Sequence, residues 1–258
     1  MQVGGKIFSN STYVMAIINL TEDSFWRESR ATADDLLYRV ERAVNEGAAV
    51  IDLGAQSTRP GYTEIPAERE IERLIKPVRE IKRRFDIPVS VDTYFPECAR
   101  AVLNEGADMI NDIWGLTRDG MAEVIAKYGA SVCIMHNSET QLTGDIFPQI
   151  TEFLQDGVSR ALGAGINKEK ICLDGGIGFA KAAAQCRELL DGYERLSVLG
   201  YPLLLGASRK SMFGGRVEDR LPATLLSTRL AVRKKVLFVR VHDVKENAQV
   251  IREESEKL

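Results

Sequence analysis

Eight short apolar runs, each closed by polar residues, limit most strongly what this chain can fold into. They are Val14–Asn19, Val50–Leu53, Val89–Asp92, Met109–Asp112, Ser131–Met135, Ile171–Asp174, Leu203–Ala207 and Phe238–Val241. Runs that stay apolar through successive positions, instead of alternating, read as strands covered on both faces, as in a parallel sheet. Segments with helical spacing lie between them. Leu37, Val40, Ala43 and Val44 line one face ahead of Gly47, a natural helix stop. Ile71, Leu74, Ile75 and Val78 form a second stripe, interrupted by Pro77. The tetrapeptide Asn45-Glu46-Gly47-Ala48 recurs as Asn104-Glu105-Gly106-Ala107, each time just before a strand. The repeating unit is therefore helix, glycine, strand. Eight such strands in 258 residues predict an α/β fold, a single-domain (β/α)8 TIM barrel over residues 1–258. A doubly wound open sheet is the alternative; eight strands and the lack of G-x-G-x-x-G weigh against it.

Composition narrows the function classes. With 45% hydrophobic residues and a net charge of −3, the chain is neither disordered nor fibrous, and it lacks the basic excess of a general nucleic-acid binder. The four cysteines form no C-x-x-C pair, which predicts neither a disulfide framework nor a zinc site. The longest apolar stretch, Tyr13 to Ile18, stops at Asn19, far short of a membrane span, and no cleavage pattern follows it. The expectation is a soluble, cytoplasmic protein without nucleic-acid or membrane partners.

The strand ends carry the chemistry. In order they present Asn19, Asp52, Asp92, Asn111 with Asp112, His136, Asp174, Ser208-Arg209-Lys210 and His242-Asp243, and both histidines of the chain are among them. Asp112 and Asp243 read as caps of the following helices. Caps alone do not explain eight polar ends out of eight, and the C-terminal ends of barrel strands are the usual seat of catalysis.

Two zones emerge. Asp92, Asn111 and Asp174 combine two carboxylate acceptors with an amide that both donates and accepts. An acid–base pair or a barrel salt-bridge network would use the carboxylates, but the added amide fits a flat heterocycle bearing ring N–H and exocyclic NH2 groups, such as a pterin. The second zone is cationic: Arg59, Arg209, Lys210, Arg240 and His242, with Ser57, Thr58, Ser208 and Ser211. Barrels often bind phosphate after strands seven and eight, and arginine forks suit a phosphate or diphosphate. A solvated rim explains Arg209 equally well. Arg240 lies inside an apolar strand and needs a partner. No P-loop, H-E-x-x-H or paired histidine ligands are present, and Gly175-Gly176-x-Gly178 reads as a phosphate loop or simply a tight βα turn. Trp26 and Trp114 follow strand ends as lid, pocket or packing residues.

Nearly the whole chain resembles the dihydropteroate synthase family. The resemblance rests on Ile18-Asn19-Leu20-Thr21-Glu22-Asp23-Ser24-Phe25, Asp52-Leu53-Gly54-Ala55-Gln56-Ser57-Thr58-Arg59-Pro60-Gly61, Ser90-Val91-Asp92-Thr93 and Ile110-Asn111-Asp112. It continues through Met135-His136, Asp174-Gly175-Gly176-Ile177-Gly178-Phe179, Gly206-Ala207-Ser208-Arg209-Lys210-Ser211 and Arg240-Val241-His242-Asp243-Val244. It implies condensation of 6-hydroxymethyl-7,8-dihydropterin diphosphate with p-aminobenzoate, releasing diphosphate, in folate biosynthesis. It implies that Asp92, Asn111, Asp174 and Lys210 hold the pterin and that Phe179 lies near the aminobenzoate. Asn19, Arg240 and His242 match residues that bind the diphosphate and its Mg2+, Asn19 being the metal ligand. Thr58, Arg59 and Ser211 match residues around the diphosphate and p-aminobenzoate. The catalytic set so implied is Arg240, His242, Lys210 and Asn19, and the implied assembly is a homodimer.

The chain also departs from the family pattern. Glu22 and Trp26-Arg27-Glu28-Ser29 replace a Pro and a Ser-Asp-Gly-Gly stretch. Ala55-Gln56 replaces Gly-Glu, Asn137 replaces Met, Gly175 replaces Pro, and Arg233-Lys234-Lys235 stands where a Gly-Ala turn is typical. Two other readings share the barrel: a pterin-dependent methyltransferase, which would not be expected to carry S-R-K-S or R-V-H-D-V, and a divergent pterin-binding paralogue with weak or no synthase activity.

Overall fold

The computed structural model of the chain describes residues 1–20, 31–56 and 64–258. Eight parallel strands close into a barrel: β3 (Tyr13–Asn19), β4 (Ala48–Gly54), β5 (Val89–Asp92), β6 (Met109–Asp112), β7 (Ser131–Met135), β8 (Ile171–Asp174), β9 (Leu203–Leu205) and β10 (Phe238–Val241). Closure runs through β10, which pairs with β3 on one side (Arg240 opposite Met15) and β9 on the other (Phe238 opposite Leu204). Helices α1 (Ala31–Asn45), α2 (Ala67–Arg84), α3 (Pro96–Asn104), α4 (Met121–Tyr128), α5 (Ile146–Gly163), α6 (Ala183–Asp191), α7 (Leu221–Arg233) and α8 (Val244–Ser255) follow the eight strands in turn. The eight expected strands are all present. Leu203–Ala207 is shorter than expected, ending at Leu205.

Local chemistry explains the boundaries. The repeated glycines Gly47 and Gly106 stand at φ +107° and +98°, conformations open to glycine but costly for other residues, as the chain turns into β4 and β6. Pro96 opens α3, where its missing N–H costs nothing. The Asp145 side chain caps α5 by accepting from the Phe147 N–H at 3.1 Å. Pro77 lies inside an unbroken α2: it removes one rung of the ladder, but Leu74, Val78 and Ile81 stay fully buried and hold the helix on the barrel.

Alternation along each strand divides the apolar residues into two cores. Val14, Ala16 and Ile18, with Ile51, Leu53, Val89, Val91 and Ile110, face the helices. Met15, Val50, Met109, Cys133, Cys172, Leu204 and Phe238 face one another inside the barrel, near the strand starts. All four cysteines are buried and free.

An element not foreseen from sequence closes the lower end of the barrel. β1 (Gln2–Val3) and β2 (Lys6–Ile7) form a small antiparallel hairpin. It delivers Val3 and the following Phe8 into the interior core. The Phe8 ring meets Tyr13 and Phe238 edge-on, at centroid distances of 5.0 and 5.1 Å. The Ser131 hydroxyl at the start of β7 donates to the Gln2 carbonyl at 2.7 Å and fixes the hairpin to the barrel. Phe8→Ala should cost about 3–5 kcal/mol, the usual range for emptying a buried aromatic site. Urea unfolding of the two proteins measures it; a loss below about 1 kcal/mol would mean that the hairpin does not seal the core.

Candidate active site

The parity that points Met15, Val50, Met109, Cys172 and Phe238 into the barrel carries on to the other end of the same strands. Counting by twos, Asn19, Asp52, Asn111, Asp174 and Arg240 share the inward face. Ser90 and Asp92 lie opposite the helix-facing Val89 and Val91 and join them. Apolar side chains fill the bottom of the interior and ionisable ones the top.

Arg240 organises the upper layer. Its Nε donates to Asp52 Oδ2 at 2.7 Å and its Nη2 to Asp92 Oδ2 at 2.6 Å. Burial works against the guanidinium's charge, but the two carboxylates outweigh it and raise its pKa. At Asp92 burial prevails and disfavours the charge: it lifts the pKa to about 6, with the Arg240 charge opposing and Asp52 assisting. Arg240 therefore meets its expected need for a partner twice over. Two of its nitrogens are engaged by the carboxylates of Asp52 and Asp92. Asp92 Oδ1 and Asp52 Oδ1 are buried acceptors that no described residue reaches with a donor.

Asp174 ends β8 within a stitched loop. Its Oδ1 accepts from the Gly176 N–H at 2.8 Å and from the Tyr193 hydroxyl at 2.9 Å. Gly176 has φ +70°, and a Cβ there would stand 1.9 Å from the His136 carbonyl oxygen, so only glycine fits. The Lys181 ammonium donates to the Gly176 and Phe179 carbonyls, each at 3.0 Å, and to His136 Nδ1 at 2.8 Å. Burial and the neighbouring Lys181 charge push the His136 pKa down to about 3, so the imidazole is neutral and can accept that bond. Gly175-Gly176-x-Gly178 is thus a tight turn whose inner groups are already engaged. Phe179, half-buried, lies under the Lys210 ammonium, 4.3 Å from the ring centroid. Burial lowers the Lys210 pKa to about 8, with Arg240 lowering it further and the carboxylates of Asp174 and Asp92 opposing.

The adjoining sector of the mouth, from β9 through β10 to β3, carries Ser208, Ser211, His242 and Asn19. Ser208 Oγ accepts from the His242 backbone N–H at 3.2 Å and lies 3.0 Å from His242 Nδ1, which ties the end of β10 to the loop after β9. Ser211 is exposed and opens the next turn. Arg209 is not a solvated rim residue: its Nε and Nη2 grip Asp243 at 2.8 and 2.7 Å. Asp243 is correspondingly not the side-chain cap expected of it. Nor does Asp112 cap the following helix, whose N-cap is Gly120; its carboxylate accepts instead from the N–H groups of Trp114 and Leu116 in the turn after β6. Trp114 packs against the outer core and borders a cavity of about 670 Å3 with Arg118, His136 and Phe153. Ser57, Thr58, Arg59, Glu22 and Trp26 through Ser29 lie outside the described residues.

Tyr193 and Lys181 escaped the sequence reading, because each acts on a residue distant along the chain and neither ends a strand. Glu70, on the first turn of α2, is a third. It is 2% exposed and accepts from Thr93 Oγ1 at 3.2 Å. Burial, then the nearby Asp92 charge, raises its pKa from 4.5 to about 8. The folded state thus keeps a proton that the unfolded chain releases, so the contribution is present below about pH 4.5 and fades as pH rises to about 8. Glu70→Gln should flatten the fall in stability between about pH 6, where Asp92 titrates, and pH 8. Denaturant midpoints across that range test it; parallel curves for both proteins would refute it.

This geometry coincides with known proteins. Residues 15–242 match the model of the family described as pterin binding enzyme. The dihydropteroate synthase of Clostridium beijerinckii is 42% identical over 258 residues, covering 96% of each chain. A crystal structure of the Clostridium difficile dihydropteroate synthase, obtained in the presence of pteroic acid, superposes with a TM-score of 0.93 at 40% identity, covering 97% of this chain and 98% of that one. The Xanthomonas albilineans dihydropteroate synthase with 4-aminobenzoic acid gives 0.90 at 33% identity, covering 96% and 93%. With its closed barrel and its acidic inner layer, the chain belongs to the pterin-binding enzymes, among the dihydropteroate synthases, transferases of folate biosynthesis.

Proposed function

We propose that the mouth of this barrel joins 6-hydroxymethyl-7,8-dihydropterin diphosphate to p-aminobenzoate, with the pterin seated on Asp92, Asn111, Asp174 and Lys210. The observation that carries this reading is Asp92 Oδ1, a buried carboxylate oxygen that no described residue supplies with a donor. A buried acceptor left unmatched is costly, and a pterin brings the N–H groups that would satisfy it. Asp174 uses Oδ1 within its own loop, which leaves Oδ2 for the ligand. Lys210, with a pKa of about 8, is mostly charged at neutral pH and adds a donor to the acidic floor.

The reaction then needs charge stabilisation more than proton removal. The bond between the pterin methylene carbon and the diphosphate oxygen breaks, and its electron pair leaves with the diphosphate. The neutral arylamine lone pair forms the new carbon–nitrogen bond, and its surplus proton passes to the departing diphosphate or to solvent. Positive charge developing on the pterin lies close to the carboxylates of the floor. Negative charge on the leaving group is met by His242, Ser211 and the Arg240 nitrogen outside the two carboxylate bonds, and the family resemblance adds Thr58 and Arg59. Phe179 offers a flat apolar wall for the aminobenzoate ring.

The family resemblance assigns Mg2+ to Asn19, whose side-chain oxygen would hold it. Among the described residues no three His, Cys, Asp or Glu side chains converge as a cage. Mg2+ needs none, because it keeps several waters and is held through one or two side chains plus substrate phosphates. When bound it would supply further charge to the leaving group. We place the protein in the cytoplasm as a homodimer acting on small molecules. The four free thiols support that compartment, no described helix is long and apolar enough to cross a membrane, and the family resemblance supports the dimer.

Purified protein incubated with the pterin diphosphate, p-aminobenzoate and Mg2+ should release diphosphate, and chelation should suppress the release until Mg2+ is restored. Absence of release under these conditions would refute the reading. Asp174→Ala should weaken pterin binding about ten- to a hundred-fold, the worth of a hydrogen bond to a charged group, as read by calorimetry. Arg240→Ala should impair pterin binding as well as turnover, because it strands Asp52 and Asp92. It should also lower stability by about 3–5 kcal/mol, the cost of breaking a buried ion pair on one side. Intact pterin affinity in that variant would show that Arg240 serves the diphosphate alone.

A further inference from the structure

Behind Asp174 stands a side chain that touches no substrate in the reading above. Tyr193 is fully buried, at the start of a 3-10 segment, Tyr193–Leu199, between α6 and β9. Its hydroxyl accepts from the Gly175 N–H at 3.0 Å. It has one proton and two acceptors within reach, Asp174 Oδ1 at 2.9 Å and the Leu204 carbonyl. The Leu204 contact is the shorter, at 2.5 Å; with Asp174 ionised, the bond to the carboxylate is charge-assisted.

Gly175 is what allows this approach. A Cβ at that position would meet Leu196 Cδ1 at 3.0 Å and the two Leu189 methyls at 3.2 and 3.3 Å, all from the segment and helix that carry Tyr193. Gly175 also provides the N–H that orients the phenol. A proline at this position would have no N–H to give. The glycine and the tyrosine therefore form one unit.

We propose that Tyr193 is a positioning residue which, admitted by Gly175, aims the Asp174 carboxylate into the barrel mouth and holds it ionised for the ligand. The electrostatics agree with the geometry. Burial drives the Asp174 pKa up; the Gly176 N–H, the Tyr193 hydroxyl and the charges of Lys210 and Lys181 draw it back. These groups reach Asp174 from its own loop, from the 3-10 segment and from the loop after β9. Tyr193 itself faces Asp174 and Cys133, and burial raises its own pKa, so it remains a donor across the ordinary pH range. Removing the hydroxyl leaves Asp174 with less support for its charge, and protonation should occur at higher pH.

The orientation toward a pterin rests on the function proposed above, whereas the effect on Asp174 does not, and two measurements separate them. In the first, protein labelled with 13C at the aspartate carboxyl is titrated without ligand, with the Asp174 resonance assigned from Asp174→Asn. Tyr193→Phe, which removes only the hydroxyl, should raise the titration midpoint by about one pH unit, equivalent to a tenfold change in protonation. Gly175→Ala keeps the N–H but crowds Leu196 and Leu189, and should shift the midpoint in the same direction by less. An unchanged midpoint in Tyr193→Phe overturns the proposal, and if that variant does not fold, an unchanged midpoint in Gly175→Ala overturns it.

In the second, 6-hydroxymethylpterin binding is followed by calorimetry from pH 5 to 8. Tyr193→Phe should move its acid limb to higher pH, so that the weakening grows toward about tenfold at the acid end where the carboxyl is protonated, with the KM for p-aminobenzoate unchanged. Uniform weakening at every pH would mean that Tyr193 only packs, which also overturns the proposal. Failure of the wild-type protein to bind the pterin would refute the function reading and leave the carboxyl titration to decide the role of Tyr193.

Discussion

One guanidinium, shared between two carboxylates from neighbouring strands, is the interaction on which the upper half of this barrel depends. Asp52 lies within β4 and Asp92 ends β5, both are buried, and carboxylates at that depth are costly without a cation. Arg240 crosses from β10 to meet both. Asp92 is thereby held part-way between its ordinary range and that of a fully buried acid, with one oxygen engaged and the other left over. The surplus acceptor is what a ligand can use. A well-satisfied network at this place would be more stable and would recognise nothing.

The same economy governs the loop after β8. Asp174 is crossed by donors from its own turn and from Tyr193, while Lys181 bonds the turn's carbonyls and a neutral His136. The loop is rigid because polar groups that could face water are spent on one another, so the carboxylate at its root has little freedom to turn away. Rigid support of this kind behind a contact residue preserves affinity, since no side chain has to be ordered when the ligand arrives.

How much of this was legible in the sequence followed from the range of each interaction. The barrel strands were readable because a strand buried on both faces is apolar at nearly every position, a signal contained within three to seven residues. The ring of polar ends was readable for the same reason, and the placing of Asp92, Asn111 and Asp174 on one face follows from counting by twos. The Asn-Glu-Gly-Ala repeat was legible because a glycine at positive φ is a local requirement. The hairpin at Gln2–Ile7 was not, since two-residue strands leave no periodicity, and Phe8 gains its meaning only from Tyr13 and Phe238. The partners of Arg240 and Arg209 were equally hidden. An arginine within an apolar strand announces that it needs a carboxylate, but not which one, and Asp52 lies 188 residues away. Tyr193 falls in an irregular segment where no pattern distinguishes a phenol that only packs from one that bonds a carboxylate.

The hairpin seal has a consequence for chemical access. Cys133 and Cys172 sit side by side on β7 and β8, inside the barrel, beneath the acidic layer and above the plug formed by Val3 and Phe8. A thiol reagent reaches them only if strands part, the polar layer is dismantled from the mouth, or the plug swings aside. The last of these demands the least disruption, because a two-stranded hairpin is marginal by itself. The rate at which an alkylating reagent modifies this pair is therefore a clock for the opening of the barrel's lower end, read at a distance from the mouth where the ligand binds.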